Sequence, residues 1–146
     1  MGTYLFSWNP TKWPWKTYEQ SVVEVEEGAI VTKNMRCINY KNIKPGDRAF
    51  LTKVGTPPRG IIGSGTVTTL PFESPHKHAA NKIVNLVTIQ FDILLDAYKE
   101  PILTNDILKL GNLAAQNWSP QSSGISIRPA LVYELEAVWE DFLSAR

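Results

Sequence analysis

Cysteine is almost missing from this chain of 146 residues, and the single Cys37 excludes an intramolecular disulfide and a cysteine-built zinc site. An intracellular, cytoplasmic setting is the expectation that follows. Histidine is scarce as well: His76 and His78 stand two apart without the further ligands that a four-coordinate shell requires, so no metal and no cofactor is expected. No apolar run approaches the roughly 20 residues of a membrane helix, and residues 1–6 carry no basic leader, so neither membrane insertion nor export is expected. Internal repeats and low-complexity tracts are absent, which argues against solenoids and disordered tails.

Equally missing is a catalytic constellation. No nucleophile stands with a recognisable base, and no acids are paired at a usable spacing. The run Gly60-Ile61-Ile62-Gly63-Ser64-Gly65 suggests a phosphate loop, but it lacks the Lys-Ser/Thr ending and sits inside a strand pattern. No catalytic residue is assigned, and no enzymatic activity is expected.

What is present describes a globular protein. Hydrophobic residues make up 43% and charged residues 20%, and the length suits one domain, residues 1–146, with its own core. The net charge of +1 conceals an asymmetry: residues 1–82 hold 11 basic and 6 acidic side chains, whereas residues 83–146 hold 4 and 8. One face is expected to be cationic, which suits a polyanion such as nucleic acid, the alternative being a solvated surface.

The chain is organised around residues 57–69, where Pro57-Pro58-Arg59 precede a glycine-studded, β-branched run. Glycines within a strand permit a bend, a neighbouring backbone or a flat ligand to come close, and the sequence leaves these alternatives open. The Pro45-Gly46 turn before Arg48-Ala49-Phe50-Leu51 predicts a second strand that pairs with the first through residues 55–59. Together they predict the middle of a small barrel. Tyr4, Phe6 and Trp8 predict a strand ended by Pro10, and Val87, Ile89, Phe91 and Ile93 alternate with Thr88, Gln90 and Asp92 over residues 84–93.

Helices are expected at 18–27, with Thr17 as N-cap and Gly28 as terminator, at 104–110 before Gly111, and from Pro129 onward. The last carries Leu131, Val132, Leu135, Val138, Trp139, Phe142 and Leu143 on one stripe and acids opposite, a core-closing helix turned away from any polyanion. Residues 33–41 read as a basic, irregular stretch suited to phosphate contact, and residues 70–81 read as a loop.

Two loops concentrate functional chemistry. Between Trp8 and Lys16, three tryptophans and two lysines share nine residues with two prolines. Proline keeps such a segment extended, so aromatic faces can be held in place while lysines meet phosphate, the ingredients of a base-stacking platform. Alternatively, Trp8 and Trp15 pack the core beneath the loop. The second loop, residues 117–127, combines Trp118 with serines and amides, either as a hydrogen-bonding surface or as a self-bonded chain reversal.

The run Phe6-Ser7-Trp8-Asn9-Pro10, the turn Lys44-Pro45-Gly46-Asp47-Arg48, the segment 58–65 and the loop 117–124 resemble, in this order, an EVE domain of the PUA-like group, related to YTH and ASCH modules. The resemblance runs from Tyr4 to about Leu143 and implies an α+β fold: a curved sheet forming a small β-barrel, short flanking helices and a C-terminal amphipathic helix. It is strongest to the modules that precede HNH nucleases in bacterial modification-dependent restriction enzymes. The implied function is recognition of 5-methylcytosine or 5-hydroxymethylcytosine in DNA by flipping the base into an aromatic pocket, with any HNH nuclease a fused or partner domain. YTH relatives imply a reader of modified RNA instead, and ASCH relatives a nucleic-acid-processing enzyme.

A flipped base requires stacking walls, polar groups for its edge and cations for the backbone. On that reading Trp8, Trp13, Trp15 and Trp118 are walls, and Asn9, Ser64, Asp92, Ser119, Gln121 and Ser122 are polar readers. Lys12, Lys16, Lys33, Arg36, Lys41 and Arg59 are backbone contacts. Where relatives carry a Trp near residues 34–38 this chain has Met35 and Ile38, so Met35 takes the place of one wall, covering a base less rigidly than a ring.

Overall fold

Aromatic and β-branched side chains crowd the start of the chain, and there a strand forms, β1 (Thr3–Trp8), ended just before Pro10. It is the first element of a computed structural model that describes residues 1–76 and 79–146. Then come α1 (Tyr18–Glu26), β2 (Thr32–Arg36), β3 (Arg48–Lys53), β4 (Gly60–Val67), β5 (Phe72–His76) and β6 (Ala79–Leu94). The chain continues through β7 (Leu103–Thr104), α2 (Asn105–Leu108), a 3-10 turn (Gly111–Ala115), β8 (Ile125–Ser126) and α3 (Pro129–Ala145).

Among the described residues, one sheet runs in the order β2-β6-β4-β3-β1-β8, with β5 on β6 and β7 on β4. The fold is α+β, with a curled, half-barrel sheet and few helices. β1 and β3 are parallel, from Thr3 opposite Arg48 to Trp8 opposite Lys53, whereas β3–β4 and β4–β6 are antiparallel. The register shifts between Leu51 and Thr52 on one side of β4 and between Ser64 and Gly65 on the other. Such irregularities bend a strand and increase its twist.

The curl brings the two ends of the sheet together. Beyond β2, the Ile38 N–H donates to Ser123 O (2.9 Å), and before β8 the Ser7 N–H donates to Ser123 Oγ (3.1 Å). Gly124, at φ +80°, makes the approach possible, because a Cβ there would stand 2.7 Å from Cys37 Cα.

The core lies within the curl and under α3. Leu5, Phe6, Phe50, Ile61, Ile62 and Val67 are fully buried, so β1 and β4 are covered on both faces rather than alternating. α3 seats Leu131, Leu135 and Trp139, and the Trp139 ring meets Phe50 edge-on with centroids 6.2 Å apart.

Two readings of the sequence are corrected. Residues 32–36 form a strand, because Met35 fills the core while Lys33 and Arg36 suit an edge that must not pair further. Residues 72–76 are a strand as well, since an edge strand tolerates Pro75, and β6 begins at Ala79 rather than near residue 84. The second helix is also shorter than 104–110, spanning Asn105–Leu108, and a separate 3-10 turn follows at Gly111–Ala115.

A Cβ on Gly65 would lie 2.2 Å from Gln90 O, and nothing lies within 4 Å of one on Gly28, whose φ is +84°. Gly65→Ala should therefore cost at least about 2 kcal/mol by overpacking, and Gly28→Ala about 1 kcal/mol by backbone strain alone. Urea midpoints that rank the two in the opposite order would remove close packing as the reason for the glycine.

The turn before β3 carries a buried acid. Asp47 accepts the Gly2 N–H (3.1 Å), the Lys44 N–H (3.0 Å) and the Lys44 ammonium (3.2 Å). Burial alone raises its carboxyl pKa, but these donors outweigh burial and hold it below the ordinary value. A lowered folded pKa adds stability above the ordinary carboxylate range and loses it as pH falls through that range. The stability advantage over Asp47→Asn should be full near neutrality and shrink below about pH 4. An advantage constant into strong acid would exclude the linkage.

Candidate nucleic-acid interface

The tryptophan loop leaves β1 through two backbone turns, the Lys12 and Trp13 N–H groups both donating to Asn9 O (3.1 and 2.9 Å), while Asn9 Oδ1 accepts the Thr11 N–H. Trp8 is 4% exposed and donates its indole N–H to Trp13 O (2.7 Å). Its ring meets Trp15 edge-on at 5.4 Å and Tyr18 at 4.7 Å. Tyr18 is itself pinned, its hydroxyl donating to Leu95 O and accepting the Ala97 N–H (2.9 Å), and burial raises its pKa.

Trp8 is therefore the buried post of the loop and not a pocket wall. Trp13 and Trp15 are half-buried and carry the accessible ring surface. Trp15 lies 5.9 Å from Phe91 of β6, and Lys33 Nζ stands 4.5 Å from the Trp15 ring centroid, within cation–π range. Met35, two residues along β2 on the same face as Lys33, is buried in the core beside this cluster. Trp13 meets the His76 ring edge-on at 5.9 Å. That contact was not legible in the sequence, because it depends on the pairing of β5 with β6. His78, the other half of the sparse histidine pair, lies outside the described residues.

Trp118 is 1% exposed and donates its indole N–H to Leu113 O (2.8 Å). It too is an anchor, and a second correction to the expected walls. The loop that it holds exposes Ser119, Gln121 and Ser122, while Ser123 makes the closing bonds to Ser7 and Ile38. Sequence reasoning passed over Ser123 and Ile38 as site-forming residues. Ile38 is 60% exposed on a backbone fixed by Ser123, beside Tyr40 and Lys41.

Ser64 and Asp92 belong elsewhere. Ser64 Oγ donates to Asp92 Oδ1 (2.5 Å) and accepts the Trp139 indole N–H (3.0 Å). Arg48 bridges Asp92 Oδ2 (2.7 Å) and the Glu136 carboxylate (3.0 and 3.2 Å) in a two-pronged contact. This network joins β3, β4 and β6 to α3, so both residues serve the helix docking rather than a base edge. Ser119 accepts from Asn105 Nδ2 (2.8 Å) and lines a different cleft, shared with Arg59.

Among the expected phosphate contacts, Lys12, Lys16, Arg36, Lys41 and Arg59 are exposed and Lys33 is partly covered by its contact with Trp15. Lys12 and Lys16 flank the tryptophans, Arg36 ends β2, and Lys41 lies 6.0 Å from the Tyr40 ring. Among the described residues, no cluster of three or more metal-ligating side chains occurs, and no helix is long and apolar enough to cross a membrane.

No family model and no curated protein matches the chain. Three solved structures share its fold. A hypothetical protein from Leishmania major superposes with a TM-score of 0.65 at 15% identity, over 98% of this chain and 97% of its own. A protein from Pseudomonas putida gives 0.62 at 13% identity, over 92% and 97%, and one from Pseudomonas syringae gives 0.59 at 15%, over 93% and 98%. At these identities the likeness concerns architecture alone.

The two roles of tryptophan, buried anchor and half-buried loop ring, are separable by stability. Trp118→Ala should cost about 3–5 kcal/mol, the loss for a buried ring, and Trp13→Ala less than about 1.5 kcal/mol. Chemical denaturation that finds the two equally costly would place Trp13 in the core with Trp118.

Proposed function

We propose that this chain is a PUA-like, EVE-type reader that recognises a modified cytosine, 5-methylcytosine or 5-hydroxymethylcytosine, in DNA by taking the flipped base against the tryptophan loop. The observation that carries the reading is the meeting at one end of the sheet of two motifs from the resemblance with the segment after β2, where this chain departs from the relatives. The end of β1 with its tryptophan loop, the segment after β2 and the loop before β8 are joined through Ser7, Ile38 and Ser123.

Two half-buried indoles with fixed backbones supply stacking surface, worth about 1–3 kcal/mol per base. That range offsets the few kcal/mol needed to unstack and unpair a base. Asn9 and the exposed Gln121 and Ser122 of the loop before β8 are the polar groups assigned to the base edge, and Lys12, Lys16, Arg36 and Lys41 are cations free to follow a phosphate backbone. The proposed pocket is thus narrower than the sequence suggested: Trp13 and Trp15 as walls, with Trp8 and Met35 buried in the core and Trp118 anchoring the loop before β8. A fused or separate HNH nuclease is the effector this reading implies.

Fluorescence anisotropy with matched duplexes carrying cytosine, 5-methylcytosine, 5-hydroxymethylcytosine or N6-methyladenine tests it. The expected result is a preference of at least about tenfold, or about 1.4 kcal/mol, for a modified cytosine that survives a salt series. Trp13→Ala should abolish the preference while retaining the fold. Equal, steeply salt-dependent binding to all duplexes would leave only a basic surface, and tighter binding to a modified RNA strand would transfer the reading to RNA.

A further inference from the structure

A cleft lies where the segment Pro57–Arg59 faces α2 and Ser119, with a volume of about 480 Å³. Sites for small molecules commonly fall between roughly 300 and 1,000 Å³. Its walls are tied before any ligand arrives. The Asn105 N–H donates to Arg59 O (3.0 Å), Asn105 Nδ2 donates to Ser119 Oγ (2.8 Å), and Arg59 Nε donates to Gly55 O (2.5 Å). Behind the wall, the buried Lys53 ammonium donates to Thr56 O (2.6 Å) and Pro58 O (3.1 Å). A cleft held in this way loses little conformational freedom on binding.

Its chemistry is asymmetric. Arg59 and Lys109 supply two cations, and Asp106 one anion. Among the described residues neither Lys109 nor Asp106 forms an ion pair, and the terminal guanidinium nitrogens of Arg59 have no partner. Asn105 is 7% exposed, and its Oδ1 has no hydrogen-bond partner among the described residues. That oxygen is itself buried and belongs to the wall of the cleft, out of reach of a ligand. Two cations beside a carboxylate match a phosphate joined to an amino-bearing base, since a carboxylate oxygen can accept from cytosine N4 or adenine N6.

We propose that this cleft binds one nucleotide, its phosphate between Arg59 and Lys109 and the amino group of its base toward Asp106. The site stands apart from the modified-base reading and does not depend on it. The nucleotide is either free or one unit of a strand; the recognition chemistry is the same.

Amide chemical-shift titrations of the full chain with cytidine 5′-monophosphate, uridine 5′-monophosphate and a short cytosine oligonucleotide test the proposal. Saturable shifts at Arg59, Asn105 and Ser119 are expected, with the cytidine nucleotide preferred over uridine. The exposed double substitution Arg59→Gln, Lys109→Gln should weaken cytidine monophosphate binding at least about tenfold, and Asp106→Asn should reduce the base preference. Tighter binding of the oligonucleotide assigns the site to a strand, and equal affinity assigns it to free nucleotides. Absence of saturable shifts in the cleft, or an affinity unchanged in the double variant, would overturn the proposal.

Discussion

The close passage of β4 against β6 is the constraint on which the rest of the molecule depends. At Gly65 the Gln90 carbonyl occupies the space of a side chain, and the register slips beside it. A strand without side chains at that point can bend while keeping its ladder bonds, so the sheet curls instead of lying open. Three consequences follow from the curl. The end of β2 reaches the loop before β8, β6 carries Phe91 under Trp15, and β5 sets His76 against Trp13. The apolar surface of β1 and β4 is covered on both faces by the same closure, so the geometry of the site and the burial of the core have one cause.

Within that frame the tryptophans divide by what happens to their indole N–H. Trp8, Trp118 and Trp139 each give it to a partner inside the protein, the Trp13 carbonyl, the Leu113 carbonyl and the Ser64 hydroxyl. A buried indole requires such a partner, and once satisfied it fixes the loop that carries the acceptor. The anchors thereby hold the segments presented to solvent: Trp8 holds the turn of Trp13, and Trp118 holds the loop of residues 119–123. Stacking against a base benefits from this stiffness, because rings already immobilised lose little entropy on binding.

The legibility of the sequence follows the same division. The turn at Pro45-Gly46, the glycine-rich strand, the helix terminator Gly28 and the apolar stripe of α3 announce themselves through local chemistry, and each element stands where that chemistry puts it. β2 and β5 do not, because lysine, arginine and proline are disfavoured in central strands and become acceptable only once an edge position is known. For the same reason two loops gave four equivalent tryptophan candidates: composition does not record which indole finds a carbonyl. Ser64 and Asp92 looked like polar readers because their partner, Trp139, lies 75 residues from Ser64 and meets it only when α3 docks.

Docking of α3 also decides the electrostatic character of the surface. Arg48 comes from the basic half of the chain, yet it is consumed by Asp92 and Glu136 of the acidic half, and Lys99 pairs with Glu19 in the opposite sense. Each such pair cancels charge between the halves, so the sequence surplus overstates the field that a ligand meets. What survives is local: Lys12 and Lys16 beside the tryptophans, Arg36 and Lys41 beside the closure, with no carboxylate paired to any of them among the described residues. At ionic strengths near 0.15 M exposed charges act over about 8 Å. A polyanion is therefore drawn by the cations at its point of contact more than by the net charge of +1. The end of the sheet where the backbone closes is also the end where cations without an ion pair among the described residues flank accessible rings, and the closure itself traces back to the bend at Gly65.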